Sequence, residues 1–397
     1  MARIHEELAR PGTCGVGYNS IRFDDEITRY SLYRNFYDPY AREWQNGNSR
    51  WDIIDMVRAA NALRPDGIEW PSREDGLPSF RLEDLTTANG IAHEAAHDAL
   101  SDVEATIALA RLIRERQPRL YDYVLKHRDK QSALAHLDLA AMKPVLHVSG
   151  MFGAARHNIA LIVPLAQHPV NRNEVICFDL MSDPQSLYDL AASELRDLLY
   201  TRAQDLPAGL ERPGIKSVHS NKCPILVTAK MADRATAERL GIDGDRCRAH
   251  LGRLRENRER YPGELQAKLK QVFSENRFPP ESDPDRMLYG GEFFSNADKR
   301  VMEQVRDSDP ETLARQQFPF EDVRLPEMLF RYRARNFPAS LGPDEKARWE
   351  EYRFQRLTEP GAGGSICMDA YQQEIETLLA GGELTQAQER LMQDLLD

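Results

Sequence analysis

Residues 13–24 read Thr13-Cys-Gly-Val-Gly-Tyr-Asn-Ser-Ile-Arg-Phe-Asp24. This stretch predicts a buried strand and a short turn, and an acidic residue follows the turn. Small and apolar residues fill its first half, and Asn19 stands at the end of the predicted strand. Asp24 follows that end, where the carboxylates of α/β proteins project toward ligands at the carboxyl edge of a sheet. The ordinary alternative is that the acids at positions 24–26 only form the first turn of the next predicted helix.

A second motif, His97-Asp-Ala-Leu-Ser-Asp102, adds a carboxylate and a candidate base. Five residues of ideal helix turn through ~140°, so His97 and Asp102 converge on one site only if His97 lies at or before the helix start. Asp98 suits the N-cap or first turn, which supports that placement. With Asp24, the motif forms half of a site for phosphodiester cleavage by two metal ions. An isolated histidine at this spacing also occurs by chance on helices, and no acidic pair before residue 20 lies in a strand-like setting that would complete the site.

Arginines and aromatic residues suited to a single-stranded nucleic acid surround these motifs. Aromatic rings stack on bases for ~1–3 kcal/mol each, and arginines bind phosphates bidentately. The net charge of -11 argues mildly against a protein that coats duplex DNA, but it permits a local basic and aromatic groove. For Trp51 and Phe36 the hydrophobic core is the simpler interpretation. The candidates are Arg29, Arg34, Tyr37, Tyr40, Trp44, Trp51, Arg58 and Arg81.

Composition indicates a cytoplasmic protein without a structural metal site or disulfides. The five cysteines lie far apart, with no Cys-x-x-Cys motif or His/Cys cluster. No apolar run approaches ~18 residues, and the N-terminal residues lack the apolar stretch of a signal peptide, so we expect no membrane association.

The chain of 397 residues is long enough for two or three domains. Residues 1–117 alternate short apolar runs with helical patterns, which indicates an α/β domain. Residues 118–274 carry short strands between Gly, Pro and Asn turns, as in a small barrel or sandwich. A proline-rich linker then leads into a largely helical part, residues 277–397. The predicted fold class is therefore α/β, then β, then α.

Longer strings across the whole chain resemble bacterial exonuclease I, a single-strand-specific 3′→5′ exonuclease of the DEDDh group. Among them are Tyr33-Arg-Asn-Phe-Tyr-Asp-Pro-Tyr40 and Phe330-Arg-Tyr-Arg-Ala-Arg-Asn-Phe-Pro338. Further strings that carry the resemblance are residues 17–29, 75–83, 97–102, 142–153 and 221–224.

The resemblance implies an RNase H-like exonuclease domain (1–117), an SH3-like barrel domain (118–274) and a helical C-terminal domain (277–397), which together clamp a strand. It implies that Asp24 and Asp102 are metal-site acids for two Mg²⁺ ions and that His97 is the general base. A water that His97 deprotonates would then attack the terminal phosphodiester and release 5′-mononucleotides.

The resemblance also implies two binding surfaces on a monomer. The first contacts single-stranded DNA, with Arg81 on a phosphate. The second binds the acidic, apolar-ended tail of single-stranded-DNA-binding protein, although Thr228 and Asp233 stand where the family has longer polar or basic side chains. The DNA-contacting residues would be Arg29, Tyr40, Trp44, Arg58 and Arg81. The tail-binding residues would be Arg64, Tyr123, Lys143 and Arg255.

One departure from the family bears on activity. The family's first domain begins with strands that carry an Asp-x-Glu pair, whereas this sequence starts at a point corresponding to well inside that domain. We therefore expect an N-terminally incomplete exonuclease domain, an exposed apolar sheet edge and little activity, whether the start is misassigned or the protein is a genuine remnant. Two alternatives are a non-catalytic protein that binds single-stranded DNA and its partner, and an exonuclease for short RNA; the two additional domains argue against the latter.

Overall fold

The first elements of the chain surround a small parallel sheet. The computed structural model describes residues 1–93, 98–207, 209–274, 281–382 and 384–396. Strand β1 pairs in parallel with β2, from Cys14 opposite Ser49 to Gly17 opposite Asp52. The elements up to residue 136 are α1 (Ala2–Ala9), β1 (Cys14–Gly17), α2 (Asp24–Arg34), β2 (Ser49–Asp52), α3 (Ile53–Leu63), α4 (Leu82–Ala88), α5 (Ala99–Arg116), α6 (Pro118–Lys126) and α7 (Lys130–His136).

Exposure along β1 and α5 differs from what the apolar pattern predicts. Strand β1 is only half-buried, and its Val16 is 53% exposed. On α5 the buried residues are Ala105, Leu109 and Ile113, whereas Val103 on another face is 54% exposed. Helical periodicity locates a helix but does not decide which of two apolar faces is covered.

An antiparallel sheet of five strands forms the middle of the chain, in the order β6-β5-β4-β3-β7. Four of its strands coincide with the apolar runs 145–149, 159–163, 175–178 and 223–228, which predict strands from the sequence. The sequence did not predict β6, because Lys216 and Ser217 interrupt its apolar pattern. Its two faces contribute to two hydrophobic clusters, one of which continues into α3, α5 and α6. The elements are β3 (Val145–Val148), β4 (Ile159–Gln167), β5 (Glu174–Asp179), α8 (Gln185–Asp189), α9 (Ala192–Tyr200), β6 (Ile215–His219), β7 (Ile225–Thr228), α10 (Arg234–Arg239), α11 (Gly244–Arg260) and α12 (Glu264–Phe273).

Helices make up the last part of the chain, as predicted. Arg331 of α15 is buried there and contacts Asp283 at 2.5 Å and Glu327 at 2.9 Å. The helices are α13 (Asn296–Asp307), α14 (Pro310–Arg315), α15 (Leu325–Asn336), α16 (Pro343–Thr358), α17 (Met368–Ala380) and α18 (Gln386–Asp394). Across the described ranges, none of the helices combines the length and the apolar character needed to cross a lipid bilayer.

The described residues form two compact units. The larger comprises Ala2–Ile27 and Tyr40–Phe278, and the smaller comprises Met1, Thr28–Pro39 and Pro279–Asp397. Helix α2 thus supplies residues to both units. The domain boundaries predicted after residues 117 and 274 stay predictions.

Two arginines enclose the carboxylate of Asp25 in the larger unit. Arg42 Nη2 lies 2.7 Å from Oδ1, and Arg50 Nη1 lies 2.7 Å from Oδ2. Arg50 also donates to the carbonyl oxygen of Asn221 at 2.7 Å, while Glu43 approaches its Nε to 3.3 Å. All four charged side chains are less than a tenth exposed. The cluster therefore joins the start of α2 to β2 and to the loop before β7.

We expect Asp25→Asn to lower the free energy of unfolding by about 3–5 kcal/mol, because it leaves two buried guanidinium groups without their shared carboxylate. Urea denaturation followed by circular dichroism measures the loss. Glu7→Gln is the matched control, since the Glu7–Arg10 pair is 63% exposed on both sides and should contribute at most ~1 kcal/mol. Equal losses in both variants would contradict the prediction.

Candidate functional site

Asp24 is the first residue of α2, and its side chain is exposed. The turn before it depends on Asp52, whose carboxylate accepts the backbone N–H groups of Asn19 at 2.8 Å and Ile21 at 3.1 Å. Asn19 has a positive φ of 58°, a conformation that asparagine tolerates better than most residues. Asp24 is therefore exposed at the surface, and it shares the first turn of α2 with Asp25 and Glu26, as the ordinary alternative predicted. Its role as a metal ligand stays a prediction.

Asp52 also begins α3, where its side chain accepts the N–H of Ile54 at 3.1 Å. Burial raises the pKa of the Asp52 carboxyl to about 6, although these N–H donors favour the charged form. Its role is to fix the turn and the helix start, because its oxygens face backbone donors.

Asp102 lies in the first turn of α5, which begins after the N-cap Asp98 as predicted. Asp98 accepts the backbone N–H of Ser101 at 3.1 Å. The partner of Asp102 is His93, whose Nε2 lies 2.8 Å from Oδ1, and the ring's Nδ1 lies 3.3 Å from Thr86 Oγ1. His93 is almost fully buried, whereas the Asp102 side chain is 43% exposed.

His97 lies outside the described residues, so its role as the base stays a prediction. His93 is the histidine that the sequence interpretation missed. Its spacing from Asp102 matches no helical or strand period, and only its position inside a fold brings the two together.

The donor chemistry at this site suits a hard cation. Carboxylate oxygens are the ligands that Mg²⁺ prefers, and this ion is often held by one or two carboxylates, with waters and substrate phosphates completing the shell. Asp24 and Asp102 provide that type of donor. Within the described part of the chain, however, no three side chains of His, Cys, Asp or Glu come together as a metal site. The described residues therefore form no complete metal site, and the joint role of Asp24 and Asp102 as metal ligands stays a prediction.

The five predicted DNA-contacting residues differ in accessibility. Trp44 is 68% exposed, Tyr40 is half-buried and the Arg81 side chain is 69% exposed at the N-cap of α4. Arg29 is buried in the smaller unit, where its Nη1 donates to Tyr289 Oη at 2.9 Å. Arg29 therefore has a packing role in this structure, and its contact with DNA stays a prediction.

Arg58 of α3 lies beside Gly150, which follows β3. Its Nη1 is 2.7 Å from Asp55 Oδ1, and the guanidinium carbon lies 5.9 Å from the centre of the Phe80 ring. A Cβ atom added at Gly150 would come within 3.0 Å of the guanidinium. Because Gly150 has no side chain, the guanidinium of Arg58 has room beside it.

The predicted tail-binding residues belong to the larger unit, and none of the four lines the cavity found in that unit. Arg64 Nη1 donates to the carbonyl oxygen of Met231 at 3.3 Å, and Arg255 Nη2 donates to that of Met142 at 3.1 Å. Lys143 is exposed. The Tyr123 ring stacks on His127 with 4.2 Å between ring centres.

The cavity has a volume of about 960 Å³ and an apolar floor that includes Leu146, Leu161 and Leu251. Pro144, which follows Lys143, also lines it. The rim carries Asp233, which caps α10, and the N–H of Thr236 lowers the pKa of that carboxyl. The remaining charged residues of the lining are Arg234, Glu238, Asp243, Asp245 and Arg248.

Three family models match most of the chain. The models are described as Exonuclease, Exonuclease I SH3-like domain and Exonuclease I C-terminal domain, and they match residues 1–110, 128–275 and 282–397. Exodeoxyribonuclease I of Escherichia coli strain K12 is 50% identical over 358 residues, which are 90% of this chain and 74% of that protein.

Solved structures are similar over the full length of the chain. An exonuclease I from Methylocaldum szegediense has a TM-score of 0.91 at 52% identity, covering 99% of this chain and 81% of that one. Escherichia coli exonuclease I in complex with a dA16 oligonucleotide has a TM-score of 0.91 at 45% identity, covering 100% and 82%. A structure of SSB/exonuclease I with an inhibitor has a TM-score of 0.85 at 44% identity, covering 100% and 81%. These findings confirm the predicted fold, an exonuclease domain followed by SH3-like and helical C-terminal domains.

Asp52→Asn should change how stability depends on pH. The folded pKa of about 6 lies above the ordinary 3.8, so between these values the folded state binds more protons than the unfolded state. The contribution of Asp52 to the free energy of unfolding therefore rises as the pH falls through 6 and is complete below about 4. Relative to the variant, the parent should gain about 3 kcal/mol between pH 7 and pH 4. Urea denaturation at several pH values measures this difference, and a constant difference would show that Asp52 does not titrate in this range.

Proposed function

The chain belongs to the exodeoxyribonuclease I family and is a nuclease, and from this premise we propose that it degrades single-stranded DNA from the 3′ end to 5′-mononucleotides. The observation that carries the proposal is the match of all three family models across the chain. The related structure with a dA16 oligonucleotide supports single-stranded DNA as the substrate.

In the proposed mechanism, acidic residues hold the metal ion and a histidine accepts a proton. Mg²⁺ held by Asp24 and Asp102 would stabilise the charge that develops on the phosphate. His93 orients Asp102 through the 2.8 Å contact. His97 would take the proton of the attacking water.

Three further residues that the resemblance assigns to DNA would bind the strand: Arg81 and Trp44 are exposed, whereas the Arg58 side chain is 17% exposed. Arg81 and Arg58 would bind phosphates, since guanidinium groups pair bidentately with phosphate oxygens. Trp44, with most of its ring surface free, would stack on a base. Such contacts position the DNA without selecting a sequence.

We also propose that the polypeptide of this sequence hydrolyses single-stranded DNA slowly. Two-metal hydrolysis needs several carboxylates, and the resemblance assigns two, Asp24 and Asp102. Strand binding uses other residues, so a protein that binds single-stranded DNA without cleaving it is the second candidate function.

We further propose a monomer acting in the cytoplasm; free thiols at all five cysteines suit a reducing compartment.

We propose that the cavity of the SH3-like domain binds the acidic tail of single-stranded-DNA-binding protein, as the related SSB/exonuclease I structure suggests. The apolar floor would take the apolar end of the tail. Arg64, Lys143 and Arg255, which the resemblance assigns to the docking site but which do not line the cavity, would face the carboxylates of the tail. Asp233 on the rim opposes such a ligand, so we expect weaker binding than a fully basic rim would give.

Nucleotide release from single-stranded DNA tests the catalytic proposal. We expect little Mg²⁺-dependent release from this chain, much more from a version extended upstream with an Asp-x-Glu segment, and a loss of about 10²–10⁴-fold when His97→Ala is added to the extended version. Asp122→Asn, an exposed change on α6, is the control.

Retention of labelled oligonucleotide measures binding separately. Rapid release by the unextended chain that depends on His97 would contradict the low rate, and release unaffected by His97→Ala would contradict the mechanism.

Binding of a fluorescent tail peptide tests the partner proposal. Arg64→Ala should weaken binding about 5-fold or more, because it removes a charge-assisted contact. Asp233→Asn should strengthen binding about 2–5-fold at low salt, since asparagine also caps helices but carries no negative charge. Arg119→Ala on α6 is the control for a general loss of positive charge. Unchanged affinity in both test variants would exclude this cavity as the docking site.

A further inference from the structure

A second pocket lies within the smaller unit, between α2, α15 and α16. Its volume is about 360 Å³, within the ~300–1,000 Å³ typical of small-molecule sites. Arg34 is the one lining residue among the candidates for strand contact in the sequence, and the resemblance assigns none of the lining residues to metal, DNA or partner. The lining residues are Arg34, Asp285, Arg335, Trp349, Tyr352, Arg353, Arg356 and Leu357.

The lining has four arginines and one acid. Arg335 Nη1 lies 2.7 Å from Asp285 Oδ2, and Arg356 Nη1 lies 3.0 Å from Asp283 Oδ2. Arg34 donates from Nε to the carbonyl oxygen of Asp285 at 3.2 Å. Because a guanidinium has five N–H donors, these contacts orient the arginines and leave donors for a ligand.

Arg353 is the most exposed charge of the pocket. It pairs with Glu350 one turn earlier, where both side chains are more than half exposed. Such a surface pair contributes little to stability, so the guanidinium can exchange its partner at small cost.

Aromatic rings form one side of the pocket. Trp349 and Tyr352 stack with 5.3 Å between ring centres and 25° between planes. The edge of Trp349 packs against Phe330 at 6.3 Å, which fixes the indole. Both rings are partly exposed. The pocket therefore joins a fixed aromatic surface to several cations.

We propose that this pocket binds a nucleoside 5′-monophosphate, either free or as one unit of a single strand. The arginines would hold the phosphate, for which their planar donors are suited, and the base would pack on Trp349. An inorganic anion would leave the rings unused, and an acidic peptide would not need a flat aromatic surface. This inference goes beyond the proposed function, since binding here requires no hydrolysis.

Titration calorimetry with thymidine 5′-monophosphate in EDTA tests the inference. We expect saturable binding, at least about tenfold weaker binding of thymidine and of inorganic phosphate, and about tenfold weaker mononucleotide binding after Arg353→Gln. Arg34→Gln, on another helix, should act in the same direction. Arg300→Gln, an exposed change on α13, should leave affinity unchanged. A short oligothymidylate should then be tested as a competitor of the mononucleotide. If it competes and binds more tightly per molecule, the ligand of this pocket is one nucleotide of a DNA strand. If it does not compete, the ligand is a free mononucleotide.

Three outcomes would overturn the inference. Phosphate binding as tightly as the mononucleotide would make the site one for anions only, and an acidic peptide binding where the mononucleotide does not would make it a peptide site. Mononucleotide binding that is lost with Trp44→Ala and Arg81→Gln but kept with Arg353→Gln would locate the nucleotide among the residues of the proposed exonuclease site. None of these outcomes depends on whether the chain hydrolyses DNA.

Discussion

The buried carboxylate of Asp25 between Arg42 and Arg50 holds three segments of the larger unit together. One acid at the start of α2 satisfies two guanidinium groups at 2.7 Å each. Arg50 in turn reaches the Asn221 carbonyl in the SH3-like domain. Burying these charges is costly unless each is paired and hydrogen-bonded, so the cluster tolerates few alternative arrangements. It ties the exonuclease domain to the sheet that follows it.

The same cluster explains why neighbouring acids behave differently. Asp25 is enclosed by cations, whereas Asp52 receives only N–H groups and has a raised pKa because it is buried without a cation. Asp24 lies beside Asp25 in sequence but remains exposed. Two buried acids therefore fix the turn and the helix start, and the third faces solvent. This division of roles suits a site at the end of a strand.

Sequence patterns predicted most elements of the fold but less of the site's surroundings. Apolar runs located β3, β4, β5 and β7, because buried strands need continuous apolar residues. They missed β6, in which Lys216 interrupts the run, and they did not show which face of α5 is covered. The contact between His93 and Asp102 follows no helical or strand period, and Arg29 bonds to Tyr289, 260 residues away. Local periodicity carries no information about such distant pairs.

The net charge of the whole chain and the local placement of arginines are separate quantities, and an anionic substrate responds to the local one. The net charge of -11 describes the whole chain, but Asp25, Asp283 and Asp285 are buried or half-buried against arginines. A carboxylate used in this way contributes to the net charge while it orients a guanidinium whose remaining donors point elsewhere. Because such an internal pair is neutral as a whole, it contributes little to the surface potential. Binding of an anionic strand therefore depends on local groups of exposed cations such as Arg81, which the net charge of the whole chain does not describe.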